Sequence, residues 1–220
     1  MFNRYGRSSE VYNIEIDDIL CLPDTQEEIK KAIKQQDEIA ILIRTSQDSL
    51  VFGRELIEQA KKDGKTHIPV RILFKMRYPV WKLNITIIKK LRLKKTIKSS
   101  NIYHIIPQDI RDLNIERCHR TAANAYQNND LGKISQDAYE RYLDLSEEII
   151  KHGYNDSHPM DVRLCRNMGV QDTINQGHHR MGILIESKIH RACIYFSAVG
   201  FLNTPFYKWQ KKLAQNKLAK

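Results

Sequence analysis

Gly177, His178, His179 and Arg180 stand in a row whose types and spacing suggest chemistry. Glycine supplies backbone angles that other residues resist and lets a ligand approach the main chain closely. If the following residues open a helix, its first N–H groups and the positive end of its dipole point outward, an arrangement that binds anions and phosphate above all. Arg180 can add a bidentate fork to such a phosphate. His178 or His179 can donate a hydrogen bond or move a proton near neutral pH. Upstream, Asp156, His158 and Asp161 can supply an acid, a base or a magnesium ligand, and Glu147 and Glu148 are weaker candidates. The competing reading is a surface turn with paired histidines and solvated acids.

The elements that must position these residues can be read from periodicity. Residues 168–196 read as strand, tight turn, helix, strand: 170–174 extended, Gln176-Gly177 a turn, a short helix from His179 to near Ser187, and an apolar β-branched and aromatic run at 192–196. Before them, residues 136–151 predict a long helix with Tyr139, Tyr142, Leu143, Leu145, Ile149 and Ile150 on its apolar side and Gly153 as its stop.

A helix ending in Lys-His-Gly-Tyr, then His-Pro, a strand, Gly-His-His-Arg, a helix and a further strand resembles the ParB/sulfiredoxin superfamily over residues of about 103–197. In sulfiredoxins the turn reads Gly-Cys-His-Arg with a nucleophilic Cys. His178 takes that place, so the resemblance does not extend to sulfiredoxin activity. In chromosome-partition ParB proteins the turn resembles Gly-Glu-Arg-Arg and binds CTP beside a helix-turn-helix domain, for which too few residues follow Phe196. Free-serine kinases of the superfamily carry Asp-Gly-His-His-Arg. Gly177 to Arg180 match it, while Gln176 stands where they have Asp, so that acid's part in magnesium binding or proton transfer is not carried over.

The resemblance implies a nucleotide- or phosphate-binding protein, ATP or CTP with Mg2+, and an ATP-dependent phosphotransferase (a kinase) acting on a small hydroxyl. Gly177 with the N–H groups of His178 and His179 would cradle the phosphate, Arg180 would clamp it, and His179 would be the hydrogen-bonding catalytic residue, with Asp156, His158 or Asp161 as acid, base or magnesium ligand.

The formal net charge is +10, and it is concentrated. Residues 64–108 contain no Asp or Glu, and within them Lys89, Lys90, Arg92, Lys94 and Lys95 form a dense basic run near Tyr78 and Trp81. Such a segment suits nucleic-acid phosphates, an anionic membrane surface, or a solvated face packed through its apolar side. Two alternative functions follow: a ParB-like DNA-binding protein using residues 64–108, and, by resemblance to similar stand-alone domains, a peripheral enzyme of surface-polysaccharide assembly. No apolar run approaches a membrane span, the first residues lack a secretory apolar region, and four scattered cysteines (Cys21, Cys118, Cys165, Cys193) suit a reducing compartment, so a cytoplasmic protein is expected. Cys118 and His119 are adjacent on one expected helix and do not face each other.

Toward the N-terminus the pattern predicts a loose segment over 1–10, strands at 11–16, 38–43 and 68–74, and helices at 24–36 and 46–62, the second holding Gly53 in its interior. The expected fold is mixed α/β (α+β): a small α/β region over 1–100 that ends in the basic segment, a ParB/sulfiredoxin-like domain over 101–200, and a basic tail over 201–220.

Overall fold

Ile39–Ile43 is an unbroken apolar run, a pattern that suits a strand covered on both faces. In the computed structural model, which describes residues 5–33, 38–75, 96–110, 136–164 and 171–199, this run (β2) lies inside a nine-stranded mixed sheet. The other strands are β1 (Tyr5–Glu15), β3 (Ser49–Phe52), β4 (His67–Lys75), β5 (Thr96–Lys98), β6 (Tyr103–Ile105), β7 (Met160–Leu164), β8 (Thr173–Gln176) and β9 (Ala192–Val199). Their order is β3-β2-β4-β1-β6-β9-β7-β8, with β5 beside β9. Five α-helices are described: α1 (Ile16–Leu20), α2 (Glu27–Ala32), α3 (Arg54–Lys62), α4 (Gln136–His152) and α5 (His178–Glu186). Helices α3 and α5 bury Ile57, Met181, Ile183 and Leu184 in one core with Ile14, Ile41, Val162 and Phe196, and α4 adds Ile149. A smaller cluster around Ile33, Leu42 and Leu73 fills the opposite face.

The two halves of the sheet repeat each other. In the first, β2 pairs antiparallel with β3 and parallel with β4; in the second, β7 pairs antiparallel with β8 and parallel with β9. The register agrees residue by residue. Ile39 lies opposite Val70 as Met160 lies opposite Ile194, and both outer pairs carry an irregularity at the same place, after Ala40 and after Asp161. Each outer strand is followed by a left-handed glycine, Gly53 (φ 96°) or Gly177 (φ 96°), that leads into a nine-residue helix. Each helix then closes on a further left-handed residue, Gly64 or Lys188. The long β1 corresponds to β5 and β6 together, and Ile14 and Ile105, which occupy equivalent places, pair with each other. A pseudo-two-fold axis therefore passes between β1 and β6.

The halves are clasped across that axis by the same bonds made twice. Tyr12 Oη donates to Asp172 Oδ2 at 2.8 Å, and Tyr103 Oη donates to Asp48 Oδ2 at 2.8 Å. The Asp172 N–H reaches Ser9 Oγ as the Asp48 N–H reaches Ser100 Oγ, each at 2.7 Å. Ser8 and Ser99 each take a backbone N–H, from Ile72 and Phe196.

Several expectations need correction. Residues 46–62 are not one helix: Ser49–Phe52 is a strand with Leu50 and Val51 buried, Asp48 accepts the Arg44 N–H, and Gly53 is the residue before the helix. Residues 5–10 are not loose but extend β1, since Arg7 and the serines are held by Glu38 and by β4. Among the described residues, the helix expected at 24–36 covers Glu27–Ala32, and it starts late because Thr25 is drawn into hydrogen bonds with Leu50 O and the Ser49 hydroxyl. On α4, Leu143 (43% exposed) and Ile150 (60% exposed) face outward. Strands β5 and β6, on either side of Ser99-Ser100-Asn101, both pair with β9.

Lys89, Lys90, Arg92, Lys94 and Lys95 lie outside the described residues, as do Tyr78, Trp81, Cys118, Cys165 and the tail over 201–220. Among the described residues, no helix is long and apolar enough to cross a membrane.

Candidate functional site

Gly177 does at the start of α5 what its residue type suggests. Its φ of 96° is costly for any L side chain, and a Cβ there would lie 2.4 Å from Met160 Cγ. The helix ladder begins with the Met181 N–H, which donates to Gly177 O at 2.8 Å, so the His178 and Arg180 N–H groups precede it. Met181 to Leu184 are buried and anchor the helix, which has no acid in its first turn. His178 is half-buried, while His179 is exposed with its ring edge-on to Tyr142 at 5.6 Å.

Arg180 is engaged with the loop before β7. Its Nη1 donates to Tyr154 Oη at 2.9 Å and to His158 O at 2.8 Å, and its guanidinium stands 5.9 Å from the centre of the Tyr154 ring. Tyr154 also donates its hydroxyl to His158 O. Burial pushes the Tyr154 phenol above its ordinary pKa, although the Arg180 charge pulls the other way. The arginine expected to clamp a phosphate thus fixes the wall beside the turn.

The three upstream candidates part company. His158 is exposed, with its ring against Ser157 Oγ at 2.7 Å. Asp161 is 2% exposed and alternates with the core residues Met160 and Val162, so it points to the opposite face of the sheet. There it accepts from Asn175 Nδ2 at 2.6 Å, Ser197 Oγ at 2.5 Å and Arg163 Nη2 at 3.3 Å. That is a buried network on the face of the sheet opposite Met160, although Asp161 pairs in register with Gln176 just before the turn. Glu147 and Glu148 are exposed on α4.

Asp156 joins a cluster that periodicity does not reveal. Its Oδ2 lies 3.1 Å from His104 Nε2 and accepts from Arg191 Nη1 at 2.8 Å. The other ring nitrogen, His104 Nδ1, is 3.0 Å from Asp18 Oδ2 and 3.6 Å from Glu15 Oε2, and Arg191 Nε also holds Glu15 at 2.9 Å. Burial raises the Asp18 carboxyl, against the hydrogen bonds and charge of His104. Burial also acts to raise Asp156, but Arg191 and then His104 outweigh it and hold that carboxyl below its ordinary value. Cys193 lies alongside, pushed up to about 11 by burial and by Asp156. The signal for this cluster lies in a repeated string: Ser8-Ser9-Glu10-Val11-Tyr12-Asn13-Ile14 and Ser99-Ser100-Asn101-Ile102-Tyr103-His104-Ile105. Its equivalent on the other side of the axis is plainer, with Asn13 Nδ2 donating to Asp109 Oδ2 at 2.7 Å.

The counterpart of the Gly177 turn, at Gly53, opens on a cavity of about 740 Å³ lined by Asp24, Lys30, Glu38, Arg54 and Glu55 among others. Arg54 is occupied there, by Asp24 Oδ1 at 2.9 Å and Leu22 O at 2.7 Å. The two turns therefore share a backbone and differ in charge: Arg54-Glu55-Leu56 against His178-His179-Arg180. No family model matches the chain, and no curated protein or solved structure matches it.

Proposed function

We propose that this chain is a cytoplasmic nucleotide-binding protein with a ParB/sulfiredoxin-like turn, and that it transfers phosphate from ATP, with Mg2+, to a small hydroxyl. The observation that carries the reading is the left-handed Gly177 opening a nine-residue helix with no acid in its first turn and His178, His179 and Arg180 directly after it. Backbone N–H groups at such an end receive phosphate oxygens. His178 and His179 border that position, His179 on the solvent side, where an acceptor hydroxyl would pass its proton to the His179 ring as its oxygen attacks the terminal phosphorus and ADP departs with the bridging oxygen. Arg180 contributes through the 154–158 loop, whose place it fixes. This reading assigns Asp161 no step, since Asn175 and Ser197 engage its carboxylate on the other face of the sheet.

The test is thermal stabilisation by ATP, CTP, ADP and GTP with magnesium. At a hundred times its dissociation constant a ligand adds about 2.7 kcal/mol to native stability. His178→Glu puts an acid where the helix dipole welcomes one and a phosphate does not, so it leaves folding intact and removes the shift. A wild type that no nucleotide stabilises, or an equal shift in His178→Glu, overturns the proposal. Duplex-DNA affinity that falls steeply with salt would then favour the basic 64–108 segment as the working surface.

A further inference from the structure

We propose that Glu15, Asp18 and His104 bind a divalent transition-metal ion of the zinc class, through Glu15 Oε2, an Asp18 carboxylate oxygen and His104 Nδ1. The three groups come from the end of β1, from α1 and from β6, so an ion there would fasten one repeat to the other. Their ligand atoms all lie within 4.8 Å of one another. His104 Nδ1 is 3.0 and 3.3 Å from the two Asp18 oxygens and 3.6 Å from Glu15 Oε2. Donors at zinc-ligand bond lengths around a tetrahedral ion stand about 3.3–3.5 Å apart. The distances from His104 Nδ1 to the two carboxylates bracket that spacing.

A carboxylate also stands on the far side of the ring. Asp156 Oδ2 sits 3.1 Å from Nε2 and is itself gripped by Arg191. A carboxylate that takes the Nε2 proton leaves the Nδ1 lone pair directed at Asp18 and Glu15, the arrangement in which a histidine serves as a metal ligand with an outer carboxylate behind it. Three lone-pair donors then converge, and a cation between them satisfies all three. Imidazole among the donors selects zinc or ferrous iron over magnesium, and two carboxylates balance the charge.

A rival set on the same ring is Nε2 with Asp156 and Cys193. Arg191 holds Asp156 through Nη1 as it holds Glu15 through Nε, so a thiolate band is what separates the two sets. The pseudo-symmetric position supplies an internal control. There Asn13 and Asp109 make the same strand-to-turn bond, and Ile106 stands where Glu15 does, so the fold does not require an imidazole or a third acid at this place.

Cobalt(II) serves as the spectroscopic probe and zinc as the ligand in calorimetry, both with the full chain after chelator treatment and without nucleotide. The expected result is one equivalent of Co2+ with visible d–d absorption, displaced by Zn2+ and not by excess Mg2+, and without a thiolate charge-transfer band. Asp18→Asn and His104→Gln lower affinity at least tenfold, Asp156→Asn lowers it about 10–100-fold, and Asp109→Asn, at the symmetry-related place, leaves it unchanged. Failure of the wild type to take up an equivalent of metal overturns the proposal whatever the variants do. So does a strong thiolate band, or wild-type affinity in a folded Asp18→Asn.

Discussion

Tyr103 Oη and Asp48 Oδ2 are 2.8 Å apart in a fully buried pair, although the two residues belong to different repeats. Burial first, then the Asp48 charge, pushes the Tyr103 phenol well above its ordinary pKa, so it stays a donor throughout the working range. The same Asp48 also takes the N–H groups of Arg44 and Asn101. Tyr103→Phe removes one bond to a buried side-chain carboxyl acceptor and is expected to cost about 1–3 kcal/mol. Asp48→Ala strands three donors and is expected to cost more. Urea unfolding of the two variants gives the comparison; equal stabilities would show that the clasp contributes little.

The two equivalent glycines should differ in tolerance. Each has φ of 96°, so an alanine at either place is strained by about 1–2 kcal/mol. At Gly53 the new methyl also meets the Ile39 Cγ1 at 2.6 Å and its Cα at 3.1 Å, a β-branched residue fixed in a strand. At Gly177 the obstacle is the Met160 side chain alone, which bends more readily. Gly53→Ala is therefore expected to lower the melting temperature more than Gly177→Ala. The reverse order in a thermal scan would contradict this.

Asp156 sets a pH dependence of definite sign. Its carboxyl titrates below its ordinary value in the folded chain because Arg191 and His104 outweigh its burial. Between the folded and unfolded pKa values the unfolded chain binds more protons, so this group's stabilisation is present above the ordinary carboxylate range and is lost as pH falls through the folded value. Asp18 acts in the opposite sense: with its pKa raised by burial, it withdraws stability as pH rises from the unfolded to the folded value. The stability difference between wild type and Asp156→Asn should thus grow on going from strongly acid solution to pH 5, and that between wild type and Asp18→Asn should move the other way. Calorimetric scans across that range read both.

What could be read from the sequence was what lies close along the chain. The Gly177 turn, the stop at Gly153 and the apolar strands β2, β4 and β9 follow from neighbours within a few residues. Ser49–Phe52 was obscured because Leu50, Val51, Ile57 and Ala60 also satisfy a helical spacing, and only the Asp48 and Gly53 backbones show that the chain reverses first. His104, Asp18, Glu15 and Arg191 come together only across β1, β6 and β9, so no local pattern could join them. The repeated Ser-Ser-x-x-Tyr-x-Ile string was the one long-range signal present, and it points to the positions of both clasps and to His104.

The axis between Ile14 and Ile105 gives this single chain the geometry of a homodimer. In a dimer of identical subunits, every substitution is made twice, and a residue good for one copy must be tolerable in the other. Covalent fusion lifts that condition. One half can keep Asn13 where the other has His104, and one outer turn can carry Arg54-Glu55 where the other carries His178-His179. Two copies of one scaffold are thereby free to divide their labour, one half supplying shape while its twin acquires charge.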